Sequence, residues 1–267
     1  MILVSGTMRS GTSMWMQILI AAGFPHIGEA FPEPWGESLK SANPRGFYES
    51  QLVSGIYYAT NPHPETGAYL FPEQTRRHVC KVFIPGLVRT DIAFVDRVIA
   101  TVRDWRAYCA SLQRLHALAG ADRERALFDV PLDPAVRWWM ENFALVRDIA
   151  TRRYAAHVTT YERLLADPEN ELASIIDWLG EGDLAAAIEA VDRRPTPSTA
   201  PTPDGVSPRH ERVFDELYDH LHTGRDLSPA FVSLLNRTDA ELRPRLLAAR
   251  ETARAKVTAH LTAPGSA

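Results

Sequence analysis

"ILVSGTMRSGTS", residues 2–13, runs from a short apolar strand through a glycine-bearing loop into "TSMWMQILIAA" (12–22), a helical pattern closed by Gly23. Strand, glycine loop and helix in that order open an α/β unit. The loop is almost the phosphate-binding pattern G-x-x-x-x-G-K-[ST]. Gly6 and Gly11 stand where the pattern needs them, but Thr12 occupies the lysine position.

Further elements follow outward from this unit. Strands are expected at 78–84 ("HVCKVFI"), 97–102 ("RVIATV") and 156–160 ("AHVTT"). Helices are expected at 50–59, from 103 to about 118, at 135–153, and in "YERLLADPENELASIIDWLG" up to Gly180. Residues 24–48 are rich in Gly, Pro and aromatics and read as loops, and 195–208 ("PTPSTAPTPDGVSP") reads as a linker or a loop over a site. Residues 209–222 and 228–261 read as helices. Strands alternating with helices predict a P-loop-like three-layer α/β fold with a central, mainly parallel sheet.

Composition narrows the function. The chain has 267 residues, 45% hydrophobic and 23% charged, enough for a substantial core, and its net charge of −4 argues against a general nucleic-acid binder. Lys40, Lys81 and Lys256 are the lysines and every other basic side chain is arginine, so Lys81 carries more weight than any single Arg. Cys80 and Cys109 lie in apolar patterns without a C-x-x-C pair, which predicts buried reduced thiols and no zinc site. The first strand begins almost at Met1, so no signal peptide is expected, and no apolar run reaches the ~20 residues of a membrane span. The expected location is the cytoplasm.

Backbone N–H groups in such a loop form an anion nest, and the following helix adds unpaired N–H groups and a positive dipole end. Ser10, Thr12 and Ser13 add hydroxyl donors. A P-loop neutralises a triphosphate with its lysine and holds Mg²⁺ with the next hydroxyl. Here Arg9 supplies the charge from inside the loop, a fork suited to a group with fewer charges. The best carboxylate for a metal is Asp104, directly behind Arg103. No bound metal is therefore expected, although a kinase or other NTPase with a displaced lysine stays open as an alternative.

"MRSGTSMW" resembles the 5′-phosphosulfate loop, P-[RK]-S-G-T-[ST], of sulfotransferases that use 3′-phosphoadenosine 5′-phosphosulfate. Met8 replaces the usual proline. Arg103 and Ser111, eight residues apart in "VIATVRDWRAYCASL", are similar to the family's pair for the 3′-phosphate. "VTTYERLLADPENELASIIDWLG" resembles the segment whose tyrosine borders the adenine, which implies that role for Tyr161, with Arg163 in place of a common Asp. "NPRGFYES" (43–50) is similar to a segment of bacterial members. The family's loop that closes on the 3′-phosphate has only a weak counterpart, through Arg193 or Arg194 in "VDRRPTPS".

The resemblance covers roughly 1–195 in ordered pieces. It implies one sulfotransferase-like domain over 1–267 with a helical extension at 209–261. It implies transfer of a sulfuryl group to a hydroxyl of a small acceptor, with Arg9, Ser10, Gly11, Thr12, Ser13, Arg103, Ser111 and Tyr161 on the donor and Arg9 and Lys81 in catalysis. Cytosolic members carry K-x-H-x-P at the second strand, and this chain has Lys81, Phe83 and Pro85, so the histidine base is missing. Other branches use a glutamate, which points to Glu29, with Glu33, Glu37, Glu49 and His26 as alternatives. Phe31, Trp35, Phe47, Tyr48, Tyr57 and Tyr58 suit an apolar or ring-bearing acceptor or, equally, a core. A homodimer is possible. A third reading is a non-catalytic protein that binds adenosine bisphosphate.

Overall fold

A computed structural model of the chain describes residues 1–32, 43–119, 131–193 and 206–262. Five parallel strands form one sheet in the order β2-β3-β1-β4-β5: β1 (Ile2–Gly6), β2 (His26–Ile27), β3 (Val79–Phe83), β4 (Arg97–Val102) and β5 (Ala155–Thr160). β1 lies at the centre and is buried along its whole length. A central parallel strand covered on both faces must be apolar throughout, which is why this short run reads so clearly.

Alternate residues of the strands feed two cores. Ile2, Val4 and Ile99 face a layer made by α1 (Thr12–Ala21), α6 (Tyr161–Ala166), α7 (Pro168–Leu179) and α8 (Leu184–Glu189). Between α1 and α6 in the chain come α2 (Pro72–Thr75), α3 (Ile84–Arg89), α4 (Trp105–Ala119) and α5 (Pro134–Arg152). Leu3, Cys80, Val82, Val98 and Ala100 face the other core, which α3, α4 and α5 build with the carboxyl-terminal α9 (Pro208–Thr223) and α10 (Pro229–Thr262). This is the three-layer α/β arrangement. Among the described residues no helix is long and apolar enough to cross a membrane.

Three local readings need correction. The helix expected at 50–59 shrinks to a 3-10 turn, Gln51–Ser54, because Gly55 adopts a conformation (φ 107) that ends it. His26–Ile27 forms an edge strand too short to leave a pattern. Ile84–Arg89 is helical despite Pro85 and Gly86, since proline is welcome in a helix's first turn. Cys80 and Cys109 are both buried free thiols. Glu33, Trp35, Glu37, Arg194 and most of 195–208 lie outside the described residues.

The order of strands puts a switch point at β1. Its chain leaves through α1 toward the β2–β3 side, whereas β4 leads through α4 and α5 to β5 on the other side. Open α/β sheets bind ligands at the carboxyl ends of strands flanking such a point. Gly6, Phe83 and Thr101 are in register there.

Candidate functional site

The β1–α1 loop is shaped by two glycines and one strained arginine. A Cβ on Gly6 would stand 2.3 Å from Ser10 Oγ and 2.5 Å from the Thr101 carbonyl oxygen, so the loop can fold back onto β4 only without one. Arg9 (φ 73) and Gly11 (φ 101) are both left-handed, the alternation that makes a backbone nest. A non-glycine residue there costs roughly 1–3 kcal/mol, and such strain gathers at ligand sites. The Ser10 hydroxyl donates to the Thr7 carbonyl at 2.7 Å, and Thr101 Oγ1 donates to the Ser10 carbonyl at 2.9 Å, which fixes the turn against β4.

Helix α1 begins with Gly11 as its N-cap, no side chain caps it, and its first turn holds no acidic residue. The first N–H groups of a helix have no partner within it, so this end is open to an anion. Thr12 is buried and Ser13 half-buried beside it.

Two arginines converge on the loop. Arg103 follows β4, is 4% exposed, and donates through Nη1 to the Arg9 carbonyl at 3.2 Å. Its guanidinium lies 4.6 Å from the centre of the Tyr161 ring, and its buried Nε has no hydrogen-bond partner. Arg9 donates through Nε to Ser111 Oγ at 3.2 Å. Among the described residues no carboxylate forms an ion pair with either. Burial first, then the like charges of Arg103 and Arg114, push Arg9 below the usual arginine range. Burial does the same to Arg103, against the pull of Tyr161 and Glu162. Tyr161 also closes the loop from the side, its Cδ2 lying 2.8 Å from where a Cβ on Gly11 would stand.

Asp104 has a different occupation from that of a metal ligand. Its Oδ1 accepts from the Ala107 N–H at 2.9 Å and caps α4.

Lys81 sits on the other flank of the loop's helix. Its ammonium donates to Glu49 Oε1 at 2.6 Å, Ser13 Oγ at 3.1 Å and the Phe47 carbonyl at 3.2 Å. Burial pulls its pKa down and Glu49 opposes that shift. Phe83, in the place of the absent histidine, lies 5.1 Å from the ammonium, centroid to nitrogen.

"NPRGFYES" explains how Glu49 arrives there. Asn43–Gly46 is a turn closed by Gly46 N–H to the Asn43 carbonyl at 3.1 Å. Gln17 of α1 holds it, donating to the Gly46 carbonyl at 2.9 Å. The next residues run antiparallel to Glu29, which exchanges both backbone bonds with Glu49 at 2.9 and 3.0 Å. Directly opposed residues project to the same face. Glu49 is the inner carboxylate, held by Lys81, and Glu29 the outer, exposed one. His26 is exposed and meets Tyr48 edge-on at 5.7 Å.

The fold thus gathers Arg9, Ser10, Gly11, Thr12, Ser13, Arg103, Ser111 and Tyr161 around one loop with Lys81 on its flank, while Glu29 is tied to it through its backbone bonds to Glu49 alone. The expected aromatics divide: Phe47 is buried at 4% and Tyr58 is 90% exposed. Arg193 pairs with Glu169 at 2.6 Å rather than joining the arginine cluster. Sequence reading missed Arg114, which helical spacing from Ser111 could have flagged. It also missed Glu162 and Trp138, which hold the end of β4 and leave no local signal. Searched against protein-family models and against curated proteins, the chain matches none.

Proposed function

We propose that the chain is a sulfotransferase that moves a sulfuryl group from 3′-phosphoadenosine 5′-phosphosulfate to a hydroxyl of a small acceptor. One observation carries the reading: an open anion nest holds the half-buried Arg9 beside the buried Arg103, and no described carboxylate forms an ion pair with either. Buried charges without an ion-pair partner gather at sites where a ligand supplies the missing anions. The partnerless Nε of Arg103 and the uncapped start of α1 fit a ligand with two separate anionic groups. The resemblance of the motifs names that ligand.

The donor supplies an activated sulfuryl group. The N–H groups at the start of α1, with Thr12 and Ser13, hold its 5′ end, and Arg9 stabilises charge there. The sequence's expectation of Ser10 as a donor to the ligand is corrected, since its N–H and hydroxyl both go to the Thr7 carbonyl and shape the loop. Arg103 and Ser111 take the 3′-phosphate, and the Tyr161 ring borders the adenine. Lys81, fixed to Ser13 by a hydrogen bond, carries positive charge to the acceptor side. Glu29, opposite Glu49 and open to solvent, takes the proton of the acceptor hydroxyl. The exposed position of this base suits a small acceptor approaching from outside.

Labelled-sulfate transfer to a panel of alcohols, run in EDTA, tests the reading. Calorimetry with 3′,5′-adenosine bisphosphate runs beside it. Tight binding of ATP–Mg²⁺ with indifference to the bisphosphate would sink it in favour of an NTPase. Bisphosphate binding without transfer to any alcohol would leave a nucleotide-binding protein instead. Glu29→Gln is expected to lower kcat on the order of 100-fold with bisphosphate affinity unchanged. An unchanged kcat removes Glu29 from the role.

A further inference from the structure

Residues 208–262 play no part in the chemistry above, yet one of their helices reaches the arginine at its centre. The peptide group joining Arg103 to Asp104 is held at both ends. Its carbonyl accepts from Trp138 Nε1 at 2.8 Å, and its N–H donates to Glu162 Oε1 at 3.3 Å. Both holders rest on α9. The Trp138 ring lies 5.9 Å from that of Phe214, centre to centre, and the Tyr218 hydroxyl donates to Glu162 Oε2 at 2.8 Å.

Phe214 and Tyr218 are four residues apart, one turn of helix, so a single face of α9 backs both supports. That face is anchored nearby. Trp105 Nε1 donates to Asp215 Oδ1 at 2.7 Å, and Arg106 pairs with Glu211 at 3.5 Å. Phe214 is fully buried against Trp105 and Trp139. Burial, then the Glu162 charge, pushes the Tyr218 phenol up, so it remains the donor in that bond.

We infer that α9 is a positioning element of the anion site: its Phe214–Tyr218 face, acting through Trp138 and Glu162, fixes the 103–104 peptide and with it the aim of Arg103. The inference rests on the sulfotransferase reading, in which Arg103 meets the 3′-phosphate. A planar fork discriminates well only if its backbone is held, because small errors in aim cost hydrogen bonds at the far end. Glu162 does double duty, since it directly follows Tyr161 and so ties the adenine side of the site to the same helix. Tyr218 is a positioning residue and touches no ligand in this arrangement.

Calorimetry on the full chain with 3′,5′-adenosine bisphosphate and with 5′-AMP tests this. The proteins are the wild type, Tyr218→Phe, Arg103→Met and the double variant. Tyr218→Phe keeps the ring and its packing and removes only the hydroxyl. It is expected to weaken bisphosphate binding about three- to tenfold and to leave 5′-AMP unchanged. On the Arg103→Met background it adds no further loss. Equal losses for both nucleotides, a full additional loss on Arg103→Met, or no loss where Arg103→Met has one would each overturn the inference. A wild type that does not prefer the bisphosphate overturns the sulfotransferase reading, and this inference with it. That failure shows in the wild type alone and is thereby told apart.

Discussion

Two partly buried clusters meet α6, and both are built on arginine. In one, Arg163 Nε meets Glu171 Oε2 at 2.6 Å, and His157 Nε2 lies 3.3 Å from the other oxygen. Glu171 is 4% exposed and its charge is matched. In the other, Arg9 and Arg103 face each other with a serine, a tyrosine ring and a backbone carbonyl, and no described carboxylate pairs with them. The first arrangement is a closed account of charge and holds β5 to α7. The second has no such ion pair, and the proposed function assigns its missing anions to a ligand. The contrast also explains the departure at Arg163, where the resembling family commonly has an aspartate. Here the arginine is the partner of a buried glutamate on the next helix.

Breaking the closed cluster should have the largest effect on folding. Glu171→Ala removes the partner of His157 and of Arg163, whose side chain is itself over a third exposed, and is expected to lower stability by about 1–2 kcal/mol, read from denaturant midpoints. Nucleotide affinity of the folded fraction should not change. A loss below about 0.5 kcal/mol would show that the two clusters do not differ in kind.

The open cluster should respond in the opposite sense. Arg103→Met keeps the buried stem and deletes the uncompensated charge. Stability is expected to stay within about 1 kcal/mol of wild type, or to rise. Affinity for 3′,5′-adenosine bisphosphate is expected to fall by about 1.5–3 kcal/mol, the scale of a charged hydrogen bond. Unchanged affinity in calorimetry would remove Arg103 from the site.

The smallest effect concerns acid. Glu171 is buried, which raises its pKa, but the hydrogen bond from His157 and the Arg163 charge outweigh this and hold it below the usual 4.5. A carboxylate depressed in the folded state contributes stability that is fully present above its unfolded pKa. That contribution disappears as pH falls through the folded value. The stability difference between wild type and Glu171→Gln should therefore shrink as pH falls below 4.5. A difference that grows on acidification would contradict the direction assigned to Glu171.

Some of the site was legible residue by residue. Gly6, Gly11 and the hydroxyls between and after them announce a nest because that geometry is local. It depends on φ angles and on where a helix begins. Arg103 and Ser111 were singled out by their resemblance to the family's 3′-phosphate pair, placed after an apolar strand, and would not have stood out alone. Glu49 was weighed beside Glu29, but nothing in "NPRGFYES" says which carboxylate turns inward. That is settled by Gln17 gripping the turn and by Lys81 across the sheet. Trp138 and Tyr218 left no trace at all, because the groups they bond, the Arg103 carbonyl and Glu162, lie far away in the chain.

By itself, then, the sequence determined the elements whose causes are short-range: an apolar central strand, a glycine-permitted loop, and a helix start with free N–H groups. Tertiary structure alone decided which charges stay matched. Lys81 and Glu171 find carboxylate or cation partners, while Arg9 and Arg103 find one another, with Arg9 reaching Ser111 across 102 positions of sequence. The reason is physical. Hydrogen-bonded geometry within a turn is fixed by neighbours in the chain, whereas the charge balance of a buried group depends on every element packed around it.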